Sequence, residues 1–180
     1  MHRYLPSLLP LLLIVLAAAP AAGETCVTYG GSQFYSAMHV CVSSPLSDQA
    51  GNSYGPANLG DWNPATAWCE DTRDHGGEQW VEVRFSEPQT FRTMVIRNGY
   101  AKSDTSYRSN SRPRLIRITA DDGLETQVEL LDQAAEQPVH LPRTVTARTI
   151  RLTVVSTYPG SAYTDTCMDE ITIDLEELNY

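Results

Sequence analysis

The sequence predicts an all-β domain, an antiparallel β-sandwich of the jelly-roll type. Short segments in which apolar and polar residues alternate recur after residue 24, whereas helical periodicity is hard to find there. Successive side chains of a strand point to opposite faces, so a period of two indicates a half-buried strand. Many short strands with turn signals between them, and no long helical pattern, favour a sandwich.

Two segments show this alternation most clearly. In WVEVRF, from Trp80 to Phe85, the valines and the phenylalanine fall on one side and Glu82 and Arg84 on the other. RTIRLTV, from Arg148 to Val154, alternates in the same way. Six further strands are predicted at Met38 to Ser43, Phe91 to Arg97, Leu115 to Ala120, Thr126 to Leu131, Pro138 to Leu141 and Glu170 to Leu175.

Turn residues separate these segments. Asp121-Asp122-Gly123 lies between two predicted strands and is typical of a hairpin turn, because Asp and Gly adopt the required backbone angles at little cost. Two long stretches without a strand pattern, Ser44 to Gln79 and Gly99 to Arg114, are predicted to be loops. Loops of that length on a compact sandwich tend to carry function.

The first 23 residues have the layout of a secretory signal peptide. His2 and Arg3 precede an apolar run from Leu8 to Ala19, and a stretch of small residues leads to Gly23. The run is shorter than the roughly 18 residues of a membrane-spanning helix, so we expect a cleaved signal and a secreted or periplasmic protein without a membrane span. The alternative is a lipid anchor on Cys26.

Residues 24–180 have a length that suits a single domain with one core. Loss of Arg3 with the signal peptide would leave 12 of the 13 basic residues against 22 acidic ones, a balance of −10. An acidic surface repels phosphate backbones and anionic headgroups, which argues against nucleic acid and against electrostatic membrane binding.

Four cysteines follow the signal peptide. An even count in an exported chain predicts two disulfides, with three connectivities open. The chain has no CxxC motif and its remaining histidines stand alone, which argues against a zinc site. The cysteines are Cys26, Cys41, Cys69 and Cys167.

Several motifs resemble known domains. YGPANLGD from Tyr54, TAW from Thr66 and GEQWVEV from Gly77 resemble the opening half of discoidin-like (coagulation-factor type C) domains. NGY from Asn98, together with Asn110, Arg112 and YPGSAYTDTCMDEI (residues 158–171), resembles more closely the glycan-binding translocation domain of streptococcal NAD glycohydrolase and its bacterial relatives. The resemblance covers about residues 54–173 and implies a galactose-binding-like jelly roll without the catalytic domain of the glycohydrolase.

The resemblance also implies a structural calcium ion. Its side-chain ligands would be Asp61, Asn63, Thr66 and Glu170. Calcium prefers six to eight oxygen ligands from carboxylates, amides, hydroxyls and carbonyls, which fits this set. If Thr66 and Glu170 meet at one ion, the resemblance further implies the disulfides Cys69–Cys167 and Cys26–Cys41. One departure is Trp62, which stands where relatives commonly have a small residue.

Acidic residues near this loop raise the alternative of a glycosidase. Such enzymes use a pair of carboxyl groups, and the candidates are Asp61, Glu70, Asp165, Asp169 and Glu170. Solvated loop acids and calcium ligands are the favoured interpretation, because Gly160-Ser161-Ala162 is not a nucleophile elbow and no serine, histidine and aspartate motif is present. The chain is therefore predicted not to be an enzyme.

The predicted function is a secreted binding module for carbohydrate or another cell-surface component. Its rivals are an envelope structural or protein-interaction domain and, less favoured, a hydrolase. Trp68 and Trp80 are predicted core anchors. Asn98, Asn110 and Arg112 either bind ligand or pin the loop to the sandwich, and pinning is preferred. The predicted ligand-binding residues are Trp62, Tyr100, Asp104, Tyr107 and Arg108.

Overall fold

The computed structural model describes residues 23–31, 36–73 and 75–174. Within these ranges the elements are β1 (Thr25–Tyr29), β2 (Met38–Val42), a 3-10 helix (Pro56–Leu59), β3 (Trp68–Cys69), β4 (Trp80–Asn98), α1 (Asp104–Ser109), β5 (Arg112–Ala120), β6 (Glu125–Glu129), β7 (Gln137–Tyr158) and β8 (Cys167–Asp174). The pairing between named strands is antiparallel throughout, in an open sandwich. The predicted signal peptide lies outside the described residues, apart from Gly23, and stays a prediction.

Two long, bent strands join the two layers of the sandwich. The first part of β4 pairs with β2, and its last part pairs with β8. Strand β7 runs beside β4 along most of its length, and their register shifts between Arg84 and Gln89 and again between Phe91 and Thr93. Such irregularities bend strands, so β4 and β7 each pass from one layer to the other. Four of the predicted strands are therefore halves of these two.

Apolar residues of β4, β5 and β7 fill the core. Side chains with at most 1% exposure include Phe91, Met94, Ile96, Ile116, Ile118, Ile150 and Leu152. Burial of each such side chain stabilises the fold by about 1.5–3 kcal/mol relative to leaving it in water. Trp68 lies in this core with 0% exposure, as predicted.

Trp80 was predicted to be a core anchor, and this is wrong. It is only half-buried, and the Arg151 guanidinium lies over its ring at 4.0 Å. The reason lies in the alternation itself, because Trp80 shares a strand face with Glu82 and Arg84, opposite the buried Val81. Its indole therefore covers the outer face of the sheet.

The predicted hairpin turn is confirmed between β5 and β6. The Gly123 N–H donates to the Ala120 carbonyl at 3.1 Å, and Gly123 has a φ of +86°, which favours glycine. Asp122 Oδ1 accepts the Leu124 N–H at 3.0 Å, and the same carboxylate pairs with Arg143. The side chain of Asp122 thus holds both the turn and the neighbouring strand β7.

Strands β1 and β3 and the two short helices were not predicted. Helix α1 begins after Ser103, whose Oγ accepts the Ser106 N–H at 3.1 Å as an N-cap. Strand β1 is joined to β2 by a disulfide between Cys26 and Cys41. A second disulfide joins Cys69 to Cys167, so the pairing is the one that the resemblance implies.

The long loops contact one another beyond the start of β8, and we call this region the loop cluster (residues 44–79, 99–111 and 159–166). Buried Glu70 holds it together, because Oε1 accepts the Thr166 N–H at 2.7 Å and Oε2 accepts the Thr72 N–H at 2.6 Å. Ser111 and Thr166 form an isolated β-bridge beside it.

Of the helices described, neither is long and apolar enough to cross a lipid bilayer.

Candidate ligand-binding cleft and cation loop

The loop cluster contains a cleft of about 520 Å³, which we call the tyrosine cleft. Its aromatic walls are Tyr54, Tyr100 and Tyr163, and its polar groups include Asn110 and Asp165. Cys69 of the second disulfide also lines it. A concave site with aromatic walls and a few polar groups is the usual form of a small-ligand pocket.

The three tyrosine rings differ in their freedom to meet a ligand. Tyr100 is 7% exposed, and its hydroxyl donates to the Ala65 carbonyl at 3.2 Å. Tyr54 packs edge-to-face against it, with ring centroids 6.2 Å apart. Tyr163, in contrast, is 57% exposed. Two rings therefore form a fixed wall, and the third is presented to solvent.

The main chain positions Tyr163 against the end of α1. The N–H groups of Ala162 and Tyr163 donate to the Ser109 carbonyl at 3.1 and 2.9 Å, and the Ser161 N–H donates to Arg108. These bonds satisfy carbonyls that the end of a helix leaves without partners. Gly160 permits the approach, since a Cβ there would lie 2.4 Å from the Ser109 oxygen.

Asp165 lines the same cleft as this exposed ring and is half-buried. Its backbone carbonyl accepts the Ser111 N–H at 3.0 Å, which fixes the residue. Within the described residues its side chain makes no hydrogen bond or ion pair. Burial raises the pKa of this carboxyl, and the nearby Asp71 raises it further. The carboxylate is therefore an acceptor without a donor in the part of the chain that the structure describes.

A second pocket of about 220 Å³ lies on the other side of α1, and we call it the Arg112 pocket. Here Arg112 donates to both oxygens of Asp132, at 2.6 and 2.7 Å, and Tyr107 donates to the same carboxylate at 3.0 Å. The Arg112 guanidinium also lies 4.8 Å from the Tyr107 ring centroid. Arg112 lowers the pKa of Asp132, and burial raises that of Tyr107.

Tyr107 was predicted to be free for ligand, and the structure corrects this. It is 9% exposed because its ring packs on Arg112 and its hydroxyl is bonded to Asp132. Gly99, with a φ of +72°, gives this ring its space, since a Cβ there would lie 2.6 Å from it. The NGY motif therefore serves the packing of Tyr107.

The five predicted ligand residues do not converge on one site. Tyr100 lines the tyrosine cleft, whereas Asp104, Tyr107 and Arg108 line the Arg112 pocket. Trp62 belongs to a third place, the loop of the predicted calcium site. Of the residues preferred as loop pins, Asn98 Nδ2 donates to the Pro113 carbonyl, Asn110 Nδ2 to Ser106, and Arg112 to Asp132.

Residues 61–66 form a tight loop that we call the cation loop. Asp61 Oδ1 accepts the Asn63 N–H at 2.9 Å, and its Oδ2 accepts the Thr66 hydroxyl at 2.8 Å. Glu170 reaches the loop from β8, where its Oε2 accepts the Trp62 N–H at 2.8 Å. The four predicted calcium ligands therefore belong to one hydrogen-bonded unit.

Glu170 has one carboxylate oxygen that is not satisfied. The residue is 1% exposed, and Oε1 is buried without a hydrogen-bond partner in the described part of the chain. Burial raises the pKa of Glu170 to about 7, and the charge of Asp61 contributes to the shift. Buried polar atoms normally have partners, so this oxygen and its oxygen-rich surroundings fit a hard cation such as calcium.

Trp62 adopts the backbone conformation that glycine favours. Its φ is +56°, and its indole is 58% exposed. The loop thus keeps a left-handed turn although a bulky residue occupies it, at a cost of order 1–3 kcal/mol. The indole borders an apolar groove of about 250 Å³ that also includes Tyr29, Leu59 and Phe85.

Ser111, His75 and Asp169, which are of the residue types that hydrolases use, are engaged in other contacts. His75 Nδ1 lies 3.2 Å from Ser111 Oγ, but Ser111 is 0% exposed and its Oγ accepts the Gly160 N–H. Asp169 is fully buried and pairs with Arg97 at 2.8 Å. These contacts stabilise the loop cluster and leave the serine inaccessible to a substrate.

Sequence reasoning missed Tyr54 and Tyr163 as cleft residues and considered Asp165 only as a catalytic acid. A signal was present, because all three stand in motifs that carry the family resemblance. Their convergence depends on the disulfide and on the docking of residues 159–163 against α1. Neither contact is visible as a local pattern.

An antiparallel sandwich whose long loops form a cleft is the architecture of discoidin-like binding modules. Similar solved structures include family 32 carbohydrate-binding modules. That of C. perfringens NanJ, in complex with galactose, has a TM-score of 0.55 and 15% identity over 76% of this chain and 92% of that one. That of Streptococcus pneumoniae EndoD has a TM-score of 0.55 and 14% identity over 74% and 94%.

A third structure, a Clostridium perfringens module in complex with GalNAc-β-1,3-galactose, has a TM-score of 0.53 and 12% identity over 76% of this chain and 94% of that one. At these identities the likeness establishes the fold. The family follows from the sequence: the chain belongs to the NAD glycohydrolase translocation F5/8 type C domain family, whose model matches residues 30–174. The comparison with curated proteins returned no match.

Proposed function

We propose that the chain is an exported, non-catalytic module that binds carbohydrate in the tyrosine cleft. The observation that carries this proposal is the exposed ring of Tyr163, which lines the same cleft as the Asp165 carboxylate, a group without a donor among the described residues. An aromatic face suits the apolar C–H face of a sugar, and a carboxylate accepts hydrogen bonds from its hydroxyls. Membership of a translocation-domain family and the fold of sugar-binding modules support the same class of ligand.

The cleft is preorganised, because hydrogen bonds within the protein hold its walls in place before a ligand binds. Tyr100 is fixed by its bond to Ala65, and the loop of Tyr163 is fixed by its bonds to Ser109. Preorganisation reduces the entropy lost on binding. We therefore expect rigid, shallow recognition of a short glycan with modest affinity.

Calcium would affect the tyrosine cleft indirectly, through the cation loop. The side chains of Asp61, Asn63, Thr66 and Glu170 would hold the ion, and its role would be to stiffen the cation loop. That loop contains Ala65, whose carbonyl accepts the Tyr100 hydroxyl at 3.2 Å. A rigid cation loop would therefore keep the wall of the tyrosine cleft in place.

Two disulfides are consistent with export to an oxidising compartment. A secreted or periplasmic location gives such a module access to glycans at a cell surface. The predicted signal peptide of residues 1–23 is tested by amino-terminal sequencing of the protein from an expressing cell, where cleavage between residues 21 and 24 is expected.

A glycan array tests the proposed function. Residues 24–180 are applied with calcium and with a chelator, as wild type, as Tyr163→Ala and as Leu131→Ala. Leu131 is an exposed apolar residue, at 59%, that does not line the cleft. We expect glycan binding that falls at least about 10-fold in Tyr163→Ala, in keeping with loss of a stacking ring, and is unchanged in Leu131→Ala.

Absence of binding under both calcium conditions would overturn the proposal. Binding that survives Tyr163→Ala unchanged would remove the tyrosine cleft as its site. If a pull-down recovered a protein partner whose binding did not change when sugars were added, the alternative of an envelope protein-interaction domain would be favoured instead.

A further inference from the structure

The tyrosine cleft is acidic where its ligand would lie. Among the described residues that line it, Asp165 is the single charged side chain. Asp71 and Glu70 lie close enough to Asp165 for their charges to interact with it. The cleft therefore offers a negative group and no positive one.

Two basic side chains lie near the cleft. Lys102 donates to Asn52 Oδ1 at 2.9 Å, and its Nζ lies 6.0 Å from the Tyr100 ring centroid. It does not line the cleft and is not among the groups whose charge shifts the pKa of Asp165. Arg108 lines the Arg112 pocket on the other side of α1, where its charge acts on Asp132. The Asp165 carboxylate thus lacks a basic neighbour to neutralise it in the described structure.

Half-burial strengthens the influence of this charge on a ligand. Electrostatic interactions are several times stronger in a partly desolvated cleft than in bulk water. Hydrogen bonds between an ammonium and a carboxylate are roughly twice as strong as neutral ones. A sugar carboxylate in the same place would meet repulsion, and the chain's formal charge of −9 would add to it over longer distances.

We propose that the tyrosine cleft selects a sugar that carries a free amino group and disfavours acidic sugars. The inference rests on the proposed function and specifies its ligand class. The sugar would stack on Tyr163 and direct its ammonium group to Asp165. Neutral sugars would bind through their hydroxyls, with lower affinity, and uronic acids would bind most weakly.

Two matched sets of sugars test this order. Glucosamine, glucose and glucuronic acid form one set, and galactosamine, galactose and galacturonic acid form the other. Each is titrated into residues 24–180 at a pH of about 6, where a primary amine is protonated and a uronic acid is ionised. Within the set that binds, we expect the amino sugar to bind at least about 5-fold more tightly than the neutral sugar and the acid at least about 5-fold more weakly.

Asp165→Asn is expected to abolish these preferences while neutral-sugar affinity stays within about 3-fold. Glu125→Gln is the control. Glu125 is an exposed acid of β6 that lines neither the tyrosine cleft nor the Arg112 pocket, so the substitution makes the same change in net charge away from the cleft. It should leave the order intact.

The outcomes separate the inference from the proposed function. Binding without an amino-sugar preference, or loss of that preference in Glu125→Gln as well, overturns the inference and leaves sugar binding standing. Retention of the preference in Asp165→Asn also overturns it. If none of the six sugars binds, the proposed function fails in this form and the inference falls with it.

Discussion

Helix α1 separates two pockets that are both lined by tyrosine and aspartate side chains. In the Arg112 pocket, Asp132 accepts two hydrogen bonds from Arg112 and one from Tyr107. In the tyrosine cleft, Asp165 has no donor within the described residues, and Tyr163 is 57% exposed. Asp132 is thus satisfied by its neighbours in the protein, whereas Asp165 is not satisfied by the residues that the structure describes.

This difference separates structural residues from candidate binding residues of the same chemical type. Each partner of a hydrogen-bonded ion pair around a buried arginine is needed by the other, because removal of one partner leaves an unsatisfied group. A fixed carboxylate without a donor among the described residues is available to accept hydrogen bonds from a ligand. Polar residues on a functional loop are thus distinguished by their partners, which the sequence does not display.

The largest effect is expected at the disulfide that lines the tyrosine cleft. Cys69 and Cys167 are 98 residues apart, and by the chain-entropy estimate their bridge stabilises by at most about 4–5 kcal/mol. Cys26 and Cys41 are 15 apart, and their bridge should contribute about 3 kcal/mol. Urea unfolding of the two double Cys→Ser variants checks this order, and a greater loss in the Cys26 and Cys41 variant would contradict it.

The next effect is a pH dependence of the unfolding free energy, which arises at Glu170 in the cation loop. Burial raises the pKa of Glu170 to about 7. Because the unfolded pKa is about 4.3, the folded chain binds this proton more tightly, and the stabilisation is complete below pH 4.3 and is lost as the pH rises through 7. In a chelator, a rise from pH 5 to 8 should lower the unfolding free energy by up to about 3 kcal/mol.

Glu170→Gln isolates that contribution. The variant should lose most of the pH slope in chelator, keeping the smaller part due to Asp169, whose pKa burial raises to about 6. Calcium should raise the melting temperature of the wild type at pH 8 and not that of the variant, since an ion bound to the native state stabilises it. Equal pH slopes in the two proteins, or no calcium effect on the wild type, would count against this account of the loop.

A smaller effect compares the two aspartates directly. Asp132→Asn weakens the pairing of Arg112 and should destabilise by about 1 kcal/mol, since the Asp132 side chain is 40% exposed and solvent screens the pair. Asp165→Asn breaks no hydrogen bond or ion pair among the described residues and should change stability by less than about 0.5 kcal/mol. Chemical denaturation of both variants measures the difference, and equal losses would show that Asp165 is also structural.

The sandwich and the hairpin could be predicted because their signals are local. Alternation placed Val81, Val83 and Phe85 on one face, and the Asp-Gly turn is a feature of adjacent residues. The continuity of β4 and β7 could not be read in this way, because a strand that bends between layers looks like two strands with a break. The same alternation places Trp80 on the outer face of its strand, but Trp80 was predicted to be buried because of its residue type.

Side-chain partners in the candidate sites were harder to predict. Tyr107 and Asp132 are 25 residues apart, so the bond that holds the Tyr107 hydroxyl leaves no local signal in the sequence. The grouping of Asp61, Asn63, Thr66 and Glu170 came from the family resemblance, and the structure adds the unsatisfied Oε1 of Glu170. Tyr163 needed the contact between residues 159–163 and α1, which forms only in the folded chain.

Amide chemical shifts of isotopically labelled residues 24–180, followed during titration with the sugar that the array selects, test the central claim most directly. We expect the largest changes at Tyr54, Tyr100, Tyr163 and Asp165, with little change at Tyr107 and Arg112. Changes concentrated at the Arg112 pocket, or at Trp62 and the groove beside it, would contradict the assignment of the tyrosine cleft as the binding site.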